Sequence, residues 1–152
     1  MQLESTARRD QLDRIAEGLP QRANAISRLF LAHSGLCVSR TEVGVLRSLA
    51  QGPRRITELA ESEGVSQPGA TMLVNRLQER GWVTREADPC DRRAVLVVLT
   101  DAGREVFDRL RAEYRALLHE EMATLADEEV RALARAIEIL DKLIGRLRAR
   151  HA

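Results

Sequence analysis

Cysteines are scarce and long apolar runs are absent in this 152-residue sequence. Its two cysteines, Cys37 and Cys90, are too few for a disulfide framework, so we expect free thiols in a reducing compartment. No apolar run approaches the roughly 20 residues that a membrane-spanning helix requires. The polar N-terminus does not resemble a secretory signal peptide. These absences predict a cytoplasmic protein with no membrane partner.

Catalytic motifs are also missing. The sequence contains no nucleophile elbow, phosphate-binding loop, dinucleotide fingerprint or zinc-protease motif. Its three histidines, His33, His119 and His151, are scattered, and no second histidine follows His119 at the spacing of a zinc protease. We therefore expect no enzyme activity, no metal site and no cofactor.

An excess of charge of one sign is absent as well. Lysine and arginine number 24 against 23 aspartates and glutamates, which gives a formal net charge of +1. Bulk charge therefore does not identify a nucleic-acid-binding protein, and such a function depends on where individual arginines lie. Aromatic residues make up only 3% of the chain, so few side chains are available to stack on an aromatic ligand.

Residues 56–80 have the pattern of two short helices separated by a tight turn. Thr57 is the predicted N-cap of the first helix, and Gly64 supplies the positive φ that ends it. Ser66 is the predicted N-cap of the second helix, with Pro68 in its first turn, where a missing N–H costs little. A glycine-containing turn between two such helices is typical of a helix-turn-helix.

The second of these helices has two distinct faces. Its apolar residues recur three and four positions apart and predict one buried face: Ala70, Leu73, Val74 and Leu77. A different face carries mostly uncharged groups that donate and accept hydrogen bonds: Gln67, Thr71, Asn75 and Gln78, with Pro68 and Met72 beside them. Such groups suit base edges and phosphates, although a polar face taken alone is usually just solvated.

A hairpin is predicted after this helix. Residues 82–85 and 94–99 favour extended strands, and the second is rich in β-branched side chains. The turn between them, DPCDRR at positions 88–93, holds two carboxylates and two adjacent arginines. One arginine held by an aspartate would leave the other free to reach a phosphate or a narrow minor groove. Thr100 is then the predicted N-cap of a new helix.

This segment resembles the winged helix-turn-helix of the MarR family of bacterial transcriptional regulators. The matching elements are ELA at 58–60, VS at 65–66, Thr71, LVNRL at 73–77, ERG at 79–81, Val83 with Arg85, the DP and DRR of the turn, and Leu99-Thr100 with Gly103. Long flanking helices extend the resemblance over nearly the whole chain. It implies a repressor that binds a pseudo-palindromic operator in double-stranded DNA as a homodimer.

The second helix of the motif is then the expected reader of the DNA. Its predicted DNA-binding residues are Ser66, Gln67, Pro68, Thr71, Asn75 and Arg76. Of these, Gln67, Thr71 and Asn75 should face base edges. Ser66 and Arg76 should mainly hold phosphates.

In the turn of the hairpin, the resemblance implies three separate roles. Arg93 would enter the minor groove, Asp91 would brace the turn by hydrogen bonds, and Arg92 would be a peripheral phosphate contact. The chain departs from the family at Gly69 and Met72, where relatives usually carry a polar or basic side chain. These departures concern the DNA sequence that is preferred more than the act of binding.

Helical segments flank the winged part on both sides. We expect the N-terminal one to break at Gly18-Leu19-Pro20 and the next helix to start at Ser39 or Thr41. The last helix carries an apolar seam with alternating spacings of three and four: Val130, Leu133, Ile137, Leu140, Ile144 and Leu147. Such a seam needs another helix, from the same chain or from a second copy. In the family, the terminal helices intertwine into a twofold dimer.

The predicted fold is therefore mainly α-helical with a small β-hairpin wing. We predict a single domain over residues 1–152. Within it, residues 40–100 form the winged helix-turn-helix, and residues 5–34 and 101–150 form the dimerisation helices.

The signal that such a regulator would answer has two interpretations. The resemblance suggests a small lipophilic or phenolic effector, although core packing explains the aromatic candidates equally well. The candidate pocket residues are Phe30, His33, Phe107 and Tyr114. The alternative is a thiol-based redox response through Cys37 or Cys90, because oxidation of Cys90 in the turn would disturb DNA contact directly. Two incidental thiols are the simpler interpretation.

Overall fold

The structure, a computed structural model, describes residues 2–91 and 94–151, and it is mainly helical with one small sheet. Its elements in chain order are α1 (Gln2–His33), α2 (Arg40–Ala50), β1 (Arg54–Arg55), α3 (Ile56–Glu63), α4 (Gln67–Glu79), β2 (Val83–Ala87), β3 (Val95–Leu99), α5 (Asp101–Met122) and α6 (Asp127–His151). The chain divides into two compact units, one ending at Ala112 and the other beginning at Glu113. Among the described residues, no helix is long and apolar enough to cross a membrane. The predicted fold class is confirmed.

Helix α1 is continuous, so the predicted break at Gly18-Leu19-Pro20 is wrong. Proline removes one backbone hydrogen bond from a helix and crowds the carbonyl four residues earlier. That carbonyl belongs to Ala16, an exposed residue, so water can replace the missing donor. The guanidinium of Arg22 also donates to the Gly18 carbonyl at 3.1 Å. The helix therefore continues through the proline.

Side-chain caps set the starts of the helices in the first unit. Ser39 caps α2 in a capping box, in which its backbone N–H donates to the Glu42 carboxylate at 2.7 Å. Helix α3 begins two residues earlier than predicted, with Arg55 at the N-cap, and Glu58 accepts from the backbone N–H of Arg55 at 2.7 Å. Thr57 is therefore not the cap: it lies inside the helix, and the Glu58 side chain satisfies the N–H of the N-cap residue Arg55.

The turn between α3 and α4 agrees with the prediction. Gly64 ends α3 with a positive φ of 64°, which glycine adopts without a steric penalty. The hydroxyl of Ser66 accepts from the backbone N–H of Gly69 at 3.3 Å and so caps α4. Pro68 lies in the first turn of α4. The helix-turn-helix is confirmed.

The sheet has three antiparallel strands in the order β1-β3-β2. Strands β2 and β3 form the predicted hairpin, with Val83 opposite Leu99 and Ala87 opposite Val95. The third strand, β1, was not predicted, because two residues are too few to show a period-2 pattern. It pairs Arg54 with Val97 and Arg55 with Leu96. This pairing ties the start of α3 to the hairpin.

The core of the first unit is formed by one face of α4 together with α2, α3, the sheet and the start of α5. The predicted apolar face of α4 is buried, and Val74 and Leu77 are completely shielded from solvent. The buried core cluster consists of Val45, Leu46, Leu49, Leu59, Val74, Leu77, Val83, Val97 and Phe107. Burial of this face leaves the polar face of α4 in contact with water.

Thr100 connects β3 to α5. Its hydroxyl donates to the Gly81 carbonyl at 2.7 Å and accepts from the Gly103 N–H at 3.0 Å, so it is the predicted cap of α5. Its own N–H donates to the Trp82 carbonyl at 3.0 Å. Gly103 lies so close to that carbonyl that a methyl group there would overlap the oxygen. A side chain is therefore excluded at this position.

We expect Gly103→Ala to lower the free energy of unfolding by about 1–3 kcal/mol, the usual cost of overpacking. Gly44→Ala is the matched control, because the atoms nearest to its methyl group belong to the carboxylate end of the Glu63 side chain, which can rotate away, and not to backbone. Urea denaturation of both variants measures the difference. Equal losses in the two variants would contradict the close backbone approach at Gly103.

Candidate nucleic-acid interface

The solvent-facing side of α4, here called the recognition face, carries the side chains that the sequence predicted for DNA contact. Gln67, Pro68, Asn75 and Arg76 are exposed on it. Thr71 is half-buried, and its hydroxyl donates to the Gln67 carbonyl at 3.0 Å. The recognition face therefore presents amides, a guanidinium and a proline, a mixture suited to both base edges and phosphates.

The N-terminus of α4 adds the positive end of a helix dipole to this surface. Ser66 caps α4 while remaining exposed itself. The first N–H groups of a helix lack partners within the helix and carry a partial positive charge. Pro68 has no N–H and the Gly69 N–H donates to Ser66, so a phosphate placed here would meet the hydroxyl of Ser66 and the partial positive charge of the helix end.

Arg76 is tethered by an acidic residue from another helix. Its Nε lies 3.7 Å from the Oε1 of Glu42, and the Glu42 side chain is almost completely buried. The other oxygen of this carboxylate caps α2. Because about half of the Arg76 side chain stays exposed, the tether aims the guanidinium without removing it from solvent.

Arg85 of β2 contacts the recognition face directly. Its Nη2 donates to Asn75 Oδ1 at 2.7 Å, and its Nη1 donates to Gln78 Oε1. The sequence predicted base contact for Asn75 but assigned no role to Arg85. Seven and ten residues separate Arg85 from its two partners, and only the return of the chain from α4 into β2 brings them together.

An ion-pair cluster braces the turn between β2 and β3. Asp88 is buried, and its carboxylate accepts from Arg55 Nη2 at 2.7 Å and from the Cys90 N–H at 2.9 Å. The carboxylate of Asp91, the predicted brace, lies farther from the same guanidinium, at 3.6 Å. Backbone bonds between Asp88 and Ala94 close the turn.

The charges of this cluster stabilise each other. Hydrogen bonding to Arg55 holds the pKa of Asp88 below its usual range, and Asp88 in turn raises the pKa of Arg55. Sequence reasoning missed this pair because its members are 33 positions apart. The other predicted wing contacts, Arg92 and Arg93, lie outside the described residues.

The predicted dimerisation residues on α6 are largely exposed to solvent. Five of the six are between 42% and 61% exposed, and Leu140 is half-buried: the full set is Val130, Leu133, Ile137, Leu140, Ile144 and Leu147. Helix α1 also exposes apolar side chains, namely Leu12, Ile15, Leu19, Ile26 and Leu29. Both helices therefore carry apolar surface that the described chain leaves in water.

The candidate pocket residues have different surroundings. Phe107 belongs to the buried core, with the Arg111 guanidinium 5.8 Å from its ring centre. Phe30 is half-buried, and His33 is exposed, with its Nδ1 2.8 Å from the Leu29 carbonyl oxygen. Tyr114 is half-buried in the unit that begins at Glu113, and burial raises the pKa of its phenol.

Comparison with known proteins identifies relatives of this arrangement. A family model described as MarR family matches residues 38–94, which contain the helix-turn-helix, β2 and the turn of the hairpin. The uncharacterized HTH-type transcriptional regulator YpoP of Bacillus subtilis is 31% identical over 106 residues, which cover 69% of this chain and 75% of YpoP. The HTH-type transcriptional repressor MdtR of the same species is 29% identical over 94 residues, or 61% of each chain.

Solved structures agree with this assignment. The apo form of MarR from E. coli superimposes with a TM-score of 0.70 at 26% identity, covering 85% of this chain and 96% of that one. The transcriptional regulator BldR from Sulfolobus solfataricus gives a TM-score of 0.73 at 25% identity, covering 90% of this chain and 96% of that one. The similarity in structure therefore extends beyond the segment matched by the family model.

The ion pair between Asp88 and Arg55 predicts a specific dependence of stability on pH. Because the pKa of Asp88 is lowered on folding, its pair with Arg55 stabilises the protein above the pKa of an unfolded aspartate, about 4. That stabilisation is lost as the pH falls through the folded pKa. We expect Asp88→Asn to lower the melting temperature at pH 7, and the difference from wild type to shrink below about pH 4.

Thermal unfolding of both proteins, followed by circular dichroism over a series of pH values, measures this effect. Asp91→Asn is the matched control, because the Asp91 carboxylate lies farther from Arg55 and is nearly half exposed, so its variant should show a smaller difference. A difference between wild type and Asp88→Asn that is the same at pH 3 and pH 7 would refute the role of the ion pair.

Proposed function

The chain belongs to the MarR family of transcriptional regulators, and we propose that it acts as a homodimeric repressor that binds a pseudo-palindromic operator. The observation that carries this proposal is the recognition face of α4, which stays exposed because the opposite face is buried in the core. A relative that is named as a repressor, MdtR, supports the direction of control.

In this proposal α4 lies in the major groove, with Gln67, Thr71 and Asn75 at base edges. The exposure of both amides and the half-exposed Thr71 hydroxyl support these contacts. Ser66 and Arg76 hold phosphates on either side, and the N-terminus of α4 contributes the partial positive charge of its helix dipole. Pro68 approaches the DNA in the first turn of the helix.

The wing supplies the second contact. Arg93 enters the minor groove, Arg92 holds a phosphate at its edge, and Asp91 braces the turn. The cluster of Arg55 with Asp88 and Asp91 supports this proposal, since it fixes the strands from which the turn projects. A fixed turn delivers an arginine to the groove with a smaller loss of conformational entropy.

A second copy of the chain covers the exposed apolar faces of α1 and α6. Exposed apolar area is unfavourable in water by about 25 cal/mol per Å², and a regular seam at spacings of three and four fits another helix. A dimer would also present one α4 from each subunit to each half-site of the operator. Once one half-site is bound, the second α4 is held at a high effective concentration near the other half-site.

The releasing signal that we propose is a small lipophilic or phenolic effector. Phe30, His33 and Tyr114 have exposed or half-exposed side chains that such a ligand could reach, whereas the burial of Phe107 favours a structural role. The alternative signal is oxidation of a thiol. Both Cys37 and Cys90 are exposed and unpaired with each other, and a Cys90→Ser variant that still releases DNA under peroxide would eliminate the version that depends on Cys90.

The dimer is tested by Leu133→Glu. Leu133 is 44% exposed in the single chain, so a carboxylate there leaves the fold of the monomer intact but places an unpaired charge in the proposed interface. Light scattering should show the wild type as a dimer and the variant as a monomer. Arg135→Glu, on the opposite side of α6, is the control and should remain dimeric. A wild type that is monomeric at micromolar concentration would contradict the proposal.

DNA binding is tested by three adjacent wing variants, measured by salt titration on the region upstream of the protein's own gene. Arg92→Ala should lower the slope of log affinity against log salt by about one, as expected for one phosphate contact. Arg93→Ala should weaken binding more strongly and remove a preference for A·T-rich flanks, where the narrow minor groove attracts arginine. Asp91→Ala should resemble Arg93→Ala.

Operators with A·T-rich and G·C-rich flanks separate these effects. Small and equal losses for all three variants would argue against the wing mechanism. A wild type that does not bind these operators, or whose affinity does not change with salt concentration, would argue against DNA binding altogether.

A further inference from the structure

We infer that Arg85 of β2 determines DNA sequence specificity, because it sets the orientation in which Asn75 and Gln78 present their amides on the recognition face. This inference rests on the proposed function, since it concerns how α4 reads the operator. It adds a residue outside α4 and outside the tip of the wing to the set that selects the bases.

The geometry places one guanidinium against two amides. Nη2 of Arg85 donates to Asn75 Oδ1 at 2.7 Å, and Nη1 donates to Gln78 Oε1. Asn75 and Gln78 are three positions apart and therefore lie on the same side of α4, one turn from each other. The planar fork of an arginine suits two such acceptors at once.

The position of Arg85 is fixed by the sheet. Arg85 pairs with Val97 in the middle of the β2–β3 ladder, and Val97 is completely buried in the core. Strand β2 also packs against α4. The backbone that carries the guanidinium therefore keeps a constant distance from the recognition face.

The chemistry of the fork selects one orientation of each amide. A guanidinium has only donors, whereas the amide of Asn or Gln has an acceptor oxygen at one end and a donor NH₂ at the other. The oxygens of Asn75 and Gln78 must therefore face Arg85, and their NH₂ groups point away from it. In the free protein the recognition face already presents two oriented donors.

Oriented donors favour a particular base edge. Guanine offers two adjacent acceptors, N7 and O6, in the major groove, whereas the bidentate reading of adenine by Asn or Gln uses the amide oxygen as an acceptor from N6. With those oxygens held by Arg85, adenine loses this advantage. We therefore expect guanine at the positions that Asn75 and Gln78 read, and a shift toward adenine when Arg85 is replaced.

The positive charge of Arg85 suggests a simpler role, that of a phosphate contact. No salt bridge joins Arg85 to a carboxylate among the residues that the structure describes, so its charge is available to DNA. Arg85→Lys separates the two roles. It keeps the charge but replaces the planar fork by a single ammonium group that cannot hold both amides in the same way.

The experiment selects sequences from a library of randomised operators with the full-length protein. Wild type, Arg85→Lys and Arg85→Ala are compared, and binding of the selected operators is then measured over a range of salt concentrations. We expect both variants to change the preference for guanine over adenine by about 5- to 100-fold at one or two positions in each half-site. Arg85→Lys should leave the salt slope unchanged.

A double-variant background shows whether Arg85 acts through the amides. In Asn75→Ala Gln78→Ala protein, Arg85→Lys should cause no further change in sequence preference, since the groups that it orients are gone. A further change in that background would overturn the inference. Circular dichroism confirms that each variant is folded, which is expected because Asn75 and Gln78 are exposed and Arg85 is half-buried.

The remaining outcomes separate this inference from the proposed function. If the wild type selects an operator but Arg85→Lys selects the same one, Arg85 does not determine specificity. A uniform loss of affinity on all sequences for Arg85→Ala, with a salt slope lower by about one, would make Arg85 a phosphate contact only. A wild type that selects no sequence and binds DNA without dependence on salt would overturn the proposed function and, with it, this inference.

Discussion

Burial of one face of α4 is the constraint on which the candidate interface depends. Ala70, Leu73, Val74 and Leu77 are almost fully shielded from solvent by the core. Since a helix is rigid, fixing one face fixes the direction of every side chain on the other face. The polar groups of α4 are thus exposed by the packing of the apolar ones, and no polar interaction has to hold them outward.

Acidic residues place the arginines around this helix. Glu42 holds Arg76, and Asp88 with Asp91 holds Arg55 at the wing. This arrangement explains how a chain with a net charge of +1 belongs to a family of DNA-binding regulators. The acidic residues cancel the total charge, yet two of them, Glu42 and Asp88, are buried and position guanidiniums. Local placement, and not net charge, then governs the contacts with phosphates.

Much of the fold follows from interactions between residues that are close together in the chain, such as helix caps and turns. The caps at Ser39, Ser66 and Thr100 and the turn at Gly64 were readable because cap and helix are adjacent in the chain. The two faces of α4 followed from its period. Local rules were insufficient at Pro20, where water can satisfy the carbonyl that the proline leaves without a donor, and at Thr57, which lies inside α3 because the N-cap of the helix is Arg55.

The helix-turn-helix, the hairpin, the family and the apolar seam of α6 can be recognised from the sequence, because each depends on residues close together in the chain. Which polar side chains contact each other depends on the packing of the folded chain. Arg55 contacts Asp88, 33 positions away in the chain, because β1 pairs with β3. Arg85 contacts Asn75 because β2 packs against α4. A hydrogen bond requires atoms about 3 Å apart, and for residues distant in the chain that separation is set by the packing of the core.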